Sequence, residues 1–473
     1  MSSIDRPLKR SAVLALAVAL PLSGAHAEPT LQDLLQRIEE QEQKILVLER
    51  RLEIQDDAAK VAKDTTPVVK ASPKGFSFQS ADGQNTIKLR GVIHFDGRHF
   101  LDDITPETAD TLALRRVRPI VEGTVGGIYD FRFTPDFAAG KAIVQDAYVT
   151  GRFKPWLNVT AGKFKVPVGL ERLQSANDIR FVERGAPTLL VPNRDLGVSV
   201  AGDVFGGKVG YSVGYFNGVT DGGSSDAIGD VETDTAGDIA ARLWFTPFAD
   251  SDHFALRGLG FGVAGTYVDV SGDPTNTLLT SYRTPGQQTF FRWRGNSTAQ
   301  PSGATYADGE RLRITPQLYY SIGRFGLLSE YATVSQDVAR RTTAGLREDN
   351  IDSKAWQVAA HWFLTGEEES FRGFKPNNVF SLDKGTWGAF ELVARYHGIE
   401  IDDKAFALGS RSFADPNVSA RKATAYTLGL NWYLNENLKW VLNYERTRFD
   451  GGAANGADRP DEEALLTRVA IGF

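Results

Sequence analysis

Period-two alternation of polar and apolar residues dominates most of the chain. In 86–100, Thr86, Lys88, Arg90, His94, Asp96 and Arg98 share one face, and Ile87, Leu89, Ile93 and Phe95 share the other. In 128–137, Asp130, Arg132, Thr134 and Asp136 oppose Tyr129, Phe131, Phe133 and Phe137. In 438–446, Leu438, Trp440, Leu442 and Tyr444 oppose Lys439, Asn443 and Glu445. A soluble sandwich would bury the apolar face. Here the other face is charged in strand after strand, so it is wet as well. A lipid-facing outside and a watery lumen satisfy both faces.

The pattern predicts sixteen strands: 86–101, 111–125, 128–137, 141–153, 156–165, 196–204, 207–217, 237–247, 258–270, 309–322, 324–335, 351–364, 387–399, 421–433, 438–449 and 462–473. Their links alternate in length. Tight turns include Gly126-Gly127, Lys154-Pro155, Gly206-Gly207, Gly323 and Asn435-Glu436-Asn437. Longer links include 166–195, 218–236, 271–308, 336–350, 400–420 and 450–461. Links 365–386 and 138–140 break this alternation, and counting 288–294 as a strand would make the number odd. The expected fold is all-β: a 16-stranded antiparallel transmembrane β-barrel over 76–473, wide enough for an aqueous channel.

A short N-terminal α-helical coiled coil is expected before the barrel, within 28–60. Heptad position a reads Leu31, Ile38, Ile45, Leu52, and position d reads Leu34, Gln41, Leu48, Gln55. Arg37, Lys44 and Arg51 at g face Glu42, Glu49 and Asp56 at e, which selects parallel self-assembly, and the seam glutamines set register. An amphipathic helix packed on its own domain is the competing reading. Residues 61–75, with Pro67 and Pro73, read as a linker. Residues 1–27 read as a secretory signal: Arg6, Lys9 and Arg10, an apolar run from Ala12 to Leu22, then Ala25-His26-Ala27. No segment approaches ~20 apolar residues, so helical spans are excluded.

The 473 residues include no Cys, which excludes disulfides, thiolate metal sites and a catalytic Cys. The net charge of −6 speaks against nucleic acid as a partner, but that charge is segregated. Loop 218–236 holds Asp221, Asp226, Asp230, Glu232 and Asp234 and no base. Its spacing does not fit an EF-hand, so it reads as a solvated loop at the lipopolysaccharide surface. Gly210-Tyr211-Ser212-Val213-Gly214 resembles a nucleophile elbow but lies inside a strand, without the strand–turn–helix context. The six His lack metal-ligand spacing. No enzyme and no cofactor are implied. Trp244, Trp362, Trp432, Trp440 and Tyr444 read as lipid-face or girdle residues.

Two long loops concentrate positive charge. Stretch 163–194 has Lys163, Lys165, Arg172, Arg180, Arg184 and Arg194 against Glu171, Asp178 and Glu183. Stretch 274–307 has Arg283, Arg292 and Arg294 and no acid, so each stretch is formally +3. Rings of Arg and Lys select anions, and guanidinium grips phosphate oxygens in pairs. Arg116 and Arg118 share the face of Glu122 and belong in the lumen, which turns Arg115 outward or to the rim. The competing reading has these arginines neutralise nearby acids and pin the loops.

Several stretches resemble the phosphate-selective porin O/P family: Leu114-Arg115-Arg116-Val117-Arg118 with Glu122-Gly123; Asp146-Ala147-Tyr148-Val149; Gly162-Lys163-Phe164 with Pro167, Gly169-Leu170-Glu171-Arg172, Phe181-Val182-Glu183-Arg184, Pro192-Asn193-Arg194 and Gly197; and Tyr282-Arg283-Thr284-Pro285-Gly286-Gln287 with Phe290-Phe291. The last strand, ending at Phe473, resembles the C-terminal strands of outer-membrane barrels. Val92 and Asn177 stand where family members tend to carry bases. The resemblance implies a homotrimer of barrels in the outer membrane of a Gram-negative bacterium, passing small anions, phosphate first, past an Arg- and Lys-lined constriction. Its partners would be outer-membrane lipid and lipopolysaccharide, with the coiled coil in the periplasm. A pore for sugars or nucleotides, or a structural barrel with a periplasmic tether, shares the same fold.

Overall fold

The computed structural model describes residues 30–101, 110–225, 237–298, 303–373 and 375–473. The expected signal segment 1–27 and four of the five acids of loop 218–236 lie outside these residues. The chain divides into two units, at Thr66 and Pro67.

The first unit contains α1 (Leu31–Thr65). It has no Gly or Pro, so nothing interrupts its backbone hydrogen bonds before Pro67. The six apolar seam residues are all exposed in the single chain, from 45% at Leu34 to 77% at Leu31. Gln41 and Gln55 are exposed too. The helix runs past residue 60 and a strand follows it, so regular structure covers most of the stretch that reads as a linker.

The second unit begins with a hairpin, β1 (Val68–Ser72) and β2 (Gly75–Gln79). Then come β3 (Thr86–Phe100), β4 (Thr111–Val125), β5 (Tyr129–Asp136), β6 (Ile143–Lys154), β7 (Leu157–Lys165), β8 (Arg194–Val204), β9 (Val209–Phe216), β10 (Asp238–Phe245) and β11 (Leu259–Ser271). A separate small hairpin, β12 (Tyr282–Arg283) with β13 (Thr289–Phe291), lies in the next loop. The series resumes with β14 (Thr305–Ile322), β15 (Phe325–Thr342), β16 (Gly345–Phe363), β17 (Ala389–Ile401), β18 (Ala420–Tyr433), β19 (Leu438–Gly451) and β20 (Glu462–Gly472). Sequential neighbours from β3 to β20, apart from β12 and β13, pair antiparallel, and β20 closes on β3 from Ala464↔Phe100 to Gly472↔Val92. The result is a closed barrel of sixteen strands. Segment 288–294 belongs to the separate hairpin, so the count stays even. β20 pairs with β3 as far as Gly472↔Val92, and β2 pairs with the first part of β3, from Gln79↔Thr86 to Phe76↔Leu89.

The outward face carries the apolar half of the alternation. Leu392, Leu430 and Leu442 form one register row and are exposed. Tyr396 and Tyr426 pair on one side of that row, with ring centroids 5.0 Å apart. Trp432 and Trp440 pair on the other side at 6.4 Å. An aliphatic band between aromatic pairs matches the two interfaces of a bilayer. The inward face carries buried Gln357, His361, Glu391, Arg395, Asn431, Asn443 and Glu445.

One hairpin exceeds expectation. Strands β15 and β16 continue through the expected loop 336–350 to a turn at 343–344. Beyond the apolar band the outward residues Thr333, Ser335 and Asp337 are polar, so alternation of hydrophobicity no longer marks the strand. The irregular link 364–388 also has a structural role. It enters the lumen, where Phe371 packs edge-on against Tyr319 at 5.1 Å and its carbonyl accepts from Gln174 Nε2 at 3.0 Å.

Candidate functional site

Loop 166–193 leaves β7, crosses the lumen and returns to β8. Within it, α2 (Leu170–Leu173) and α3 (Pro187–Leu190) are single short turns. Far-wall side chains hold it through its backbone. Glu330 accepts from the amides of Leu170 (2.6 Å) and Glu171 (3.3 Å). Asn443 accepts from Val182 N (2.8 Å), and Lys439 donates to the carbonyls of Asn177 (2.7 Å) and Ile179 (2.8 Å). Gly185 lies so close to the wall that a Cβ there would sit 2.0 Å from Gln357 Oε1. A buried loop must pair its backbone groups, and these contacts do so.

That path brings cations together. Lys165 Nζ donates to the carbonyls of Leu173 (3.2 Å) and Gln174 (2.6 Å). Arg184 donates to the carbonyls of Glu171 (3.0 Å) and Gln174 (2.9 Å), and Arg172 to that of Thr188. Among the described residues none of these three has a carboxylate in ion-pair contact. Burial, then the neighbouring Arg184 and Arg194, depress Arg172 below the ordinary guanidinium range.

Strand β4 adds three arginines. His94 pairs with Arg116 in register, but Phe95 pairs with Leu114, so Arg115 is the extra residue of a β-bulge. The bulge turns Arg115 inward beside Arg116, which corrects the expectation that it faces outward or sits at the rim. Arg115 Nε donates to Glu183 Oε1 at 2.7 Å, Arg116 meets His94 Nδ1 at 3.0 Å, and Arg118 Nε donates to Asp136 at 2.7 Å. Glu183 also lies 3.7 Å from Arg98 and 3.9 Å from Arg468. Burial alone would raise its pKa, but Arg115, Arg468 and Arg116 outweigh that and hold it below the ordinary carboxylate range.

These groups surround a cavity of about 580 Å³. Nine of its lining residues are basic (Arg115, Arg116, Arg118, Lys141, Lys165, Arg172, Arg184, Arg194 and Arg283), and three are acidic (Asp136, Glu183 and Asp221). A water-accessible, cation-rich chamber inside a closed transmembrane barrel is what a pore requires at its narrowing. The family model described as "Phosphate-selective porin O and P" matches residues 87–473. The chain belongs to the phosphate-selective porin O/P family. It is an outer-membrane porin, and its relatives in the family are channels. Porin O of Pseudomonas aeruginosa is 24% identical over 441 residues, covering 88% of this chain and 95% of that protein. Similar solved structures include OmpT of Vibrio cholerae in its trimer form (TM-score 0.49, 12% identity, 82% of this chain and 99% of that one). The outer membrane channel DcaP of Acinetobacter baumannii is similar at TM-score 0.48, with 10% identity over 84% of this chain and 99% of that one.

Within this porin O/P chain, Arg116, Arg118, Lys165, Arg172, Arg184, Arg194 and Arg283 line the cavity, whereas Lys163, Arg180, Arg292 and Arg294 do not. Arg194 Nε donates to Asp146 at 2.8 Å, and Lys163 Nζ donates to the Ser225 carbonyl at 2.8 Å. Arg180 is deeply buried, 2.9 Å from Glu369 and 3.2 Å from Glu391. His361, Glu369 and Glu391 offer ligand atoms within 4.8 Å of one another, but Arg180 already pairs with both carboxylates. Arg294 is paired with Asp415 at 2.9 Å. Arg283 and Arg292 are exposed. Arg115 and Lys141 line the cavity although the pattern did not select them. The doublet Arg115-Arg116 was the only hint, since two adjacent arginines cannot both obey alternation on a lipid-facing strand. Val92 does face inward, on the arginine side of the lumen, and pairs in register with Arg118.

Proposed function

We propose that this porin passes anions passively, phosphate and related oxyanions first, with the basic chamber as its filter. The observation that carries this is the trio Lys165, Arg172 and Arg184: half-buried cations bonded to backbone carbonyls and lining the chamber. An anion entering that space supplies the negative charge the protein does not. Arg116, Arg118, Arg194 and Arg283 extend the same field along the chamber. Lys163, Arg180, Arg292 and Arg294 act from outside it. The name of the family is consistent with phosphate as the solute. Planar-bilayer recordings test the reading. A reversal potential favouring chloride over potassium, with chloride current blocked by phosphate, is expected. Cation preference, or no block by phosphate, would sink it.

The same proposal takes the working unit as a trimer clamped by α1. Its apolar seam is exposed in the single chain and its flanking charges are complementary between parallel copies. Deleting 31–56 is expected to lower the temperature at which the oligomer dissociates in detergent. An unchanged dissociation temperature makes the helix a spacer.

A further inference from the structure

The chamber is two-sided. Eight of its nine cations come from β4, the β5–β6 link, β7, β8 and the inward loop between β7 and β8, and the ninth, Arg283, comes from β12. Across the barrel an apolar set, Ile399 on β17, Ala423 and Ala425 on β18, and Tyr282 and Phe290 from the β12–β13 hairpin, lines the chamber beside the polar His397, Thr284 and Thr447, and Leu189 on α3 of the inward loop adds to the carbon. Counting staves around the closed sheet, β17 and β18 lie nearly opposite the β4–β8 sector. The apolar side is built into the protein. Tyr282, Phe290, Ile399 and Ala423 belong to one continuous buried cluster, and Leu189 packs on it.

Inorganic phosphate uses only half of such a chamber. Its oxygens are satisfied by guanidinium and ammonium groups on one side. Against Ile399, Ala423 and Phe290 its hydration water meets carbon and finds no partner. The volume also lies in the ~300–1,000 Å³ range of sites that take small organic molecules. A solute with an anionic head and an apolar body satisfies both sides at once: the head on Arg172 and Arg184, the body against Ile399 and Ala423. We propose that the chamber prefers organic anions bearing an apolar body, aryl or alkyl phosphates and carboxylates, over inorganic phosphate. This rests on the anion-pore reading and narrows its solute class, within phosphate and related oxyanions, to those that carry an apolar body.

The test compares inorganic phosphate with phenyl phosphate, which keeps the head group and adds a ring. Both are titrated against the chloride current of the full-length porin in planar bilayers. Phenyl phosphate is expected to half-block at a concentration roughly tenfold lower, as burial of part of a ring implies. Leu189→Asn and, independently, Ala423→Ser are expected to reduce that ratio several-fold, because each adds a polar group to the apolar side. Equal block by the two phosphates in the wild-type porin, or tighter block by inorganic phosphate, overturns the proposal whatever the variants do. A reversal potential without anion preference instead overturns the anion-pore reading on which it rests. The two failures are read from different measurements.

Discussion

Stretches 163–194 and 274–307 carry the same formal charge of +3, yet they do opposite things with it. The first threads its backbone across the barrel, ties it to polar side chains of the far wall and presents Lys165, Arg172 and Arg184 to the chamber. The second docks as carbon. Tyr282, Phe290 and Phe291 are buried, Tyr282 stacks on Phe291 with centroids 5.4 Å apart, and Trp293 meets Phe291 edge-on at 5.1 Å. Of its three arginines only Arg283 reaches the chamber, and Arg294 is paired with Asp415. A formal charge count measures what a loop carries. What it delivers depends on which side chains the loop needs for its own docking. Loop 166–193 is anchored by far-wall bonds to its backbone and by buried side chains such as Leu170, Phe181 and Val182, so Arg172 and Arg184 bond only to its own carbonyls and still line the chamber. Loop 272–304 is anchored through its aromatics, and two of its three arginines lie outside the chamber.

The sharpest way to break this contrast is to neutralise each loop in turn. The triple variant Lys165→Ala, Arg172→Ala, Arg184→Ala is expected to lower the chloride-to-potassium permeability ratio by roughly tenfold, the scale on which a focused surface potential concentrates ions. The double variant Arg292→Ala, Arg294→Ala is expected to leave that ratio within about twofold, because its charges are exposed or paired. Reversal potentials in a salt gradient read both. Equal losses from the two variants would falsify the division of labour between the loops.

The second experiment attacks the carbon side. Phe291→Ala removes a fully buried ring and is expected to weaken docking of loop 272–304 by roughly 3–5 kcal/mol. The loop would then be cut faster by protease from the outer side, and single-channel conductance would rise. Anion preference would persist, since the filter is on the other loop. Loss of preference together with higher conductance would mean that the two loops cannot be separated.

Much of the barrel was legible because a bilayer enforces alternation. Ile93 and Phe95 must meet lipid, while His94 and Asp96 between them must meet water or each other's partners. Legibility ended where that constraint ends. Above the bilayer, Thr333, Ser335 and Asp337 need not be apolar, so the upper halves of β15 and β16 looked like a loop. The bulge at Arg115 was hidden for a different reason: an extra residue shifts every later side chain, yet leaves only an arginine doublet as its trace. Inside the lumen, residues 288–294 held the clue to docking, three aromatics in Phe290, Phe291 and Trp293, but their charges drew the reading toward a filter. The anchors of loop 166–193, Glu330, Asn443 and Lys439, lie 159 or more residues from the backbone groups they hold. No local pattern marks such partners.

A subtler comparison lies within the filter side itself, between cations left bare and cations held by Glu183. Glu183→Gln releases part of the positive charge of Arg115, Arg98 and Arg468 and is expected to raise the anion preference about twofold to threefold. The pH dependence has a definite sign. The folded-state pKa of Glu183 lies below its unfolded value, so its stabilisation is present above the ordinary carboxylate range and is lost only as the pH falls through the lowered value. Between about pH 7 and about pH 5, above the ordinary glutamate pKa of ~4.3, the reversal potentials of the wild type and of Glu183→Gln are therefore expected to run parallel. A gap between the two that narrows within that window would mean that Glu183 is already taking up protons.

The smallest effect belongs to Arg283, the one basic residue that loop 272–304 contributes to the chamber lining. It is exposed and makes no ion pair among the described residues. Its charge is therefore screened like any surface charge, over about 10 Å at 0.1 M salt and about 3 Å at 1 M. Arg283→Ala is expected to lower the anion preference by less than about twofold at 0.1 M and to leave it unchanged at 1 M. For Arg172→Ala the effect should survive at 1 M, because a half-buried cation is shielded from the salt that screens an exposed one. Recording both variants at both salt concentrations separates a guanidinium that lines the chamber from one that attracts ions toward it. If the Arg283→Ala effect also persists at 1 M, loop 272–304 shares the filter, and the contrast between the loops is one of degree.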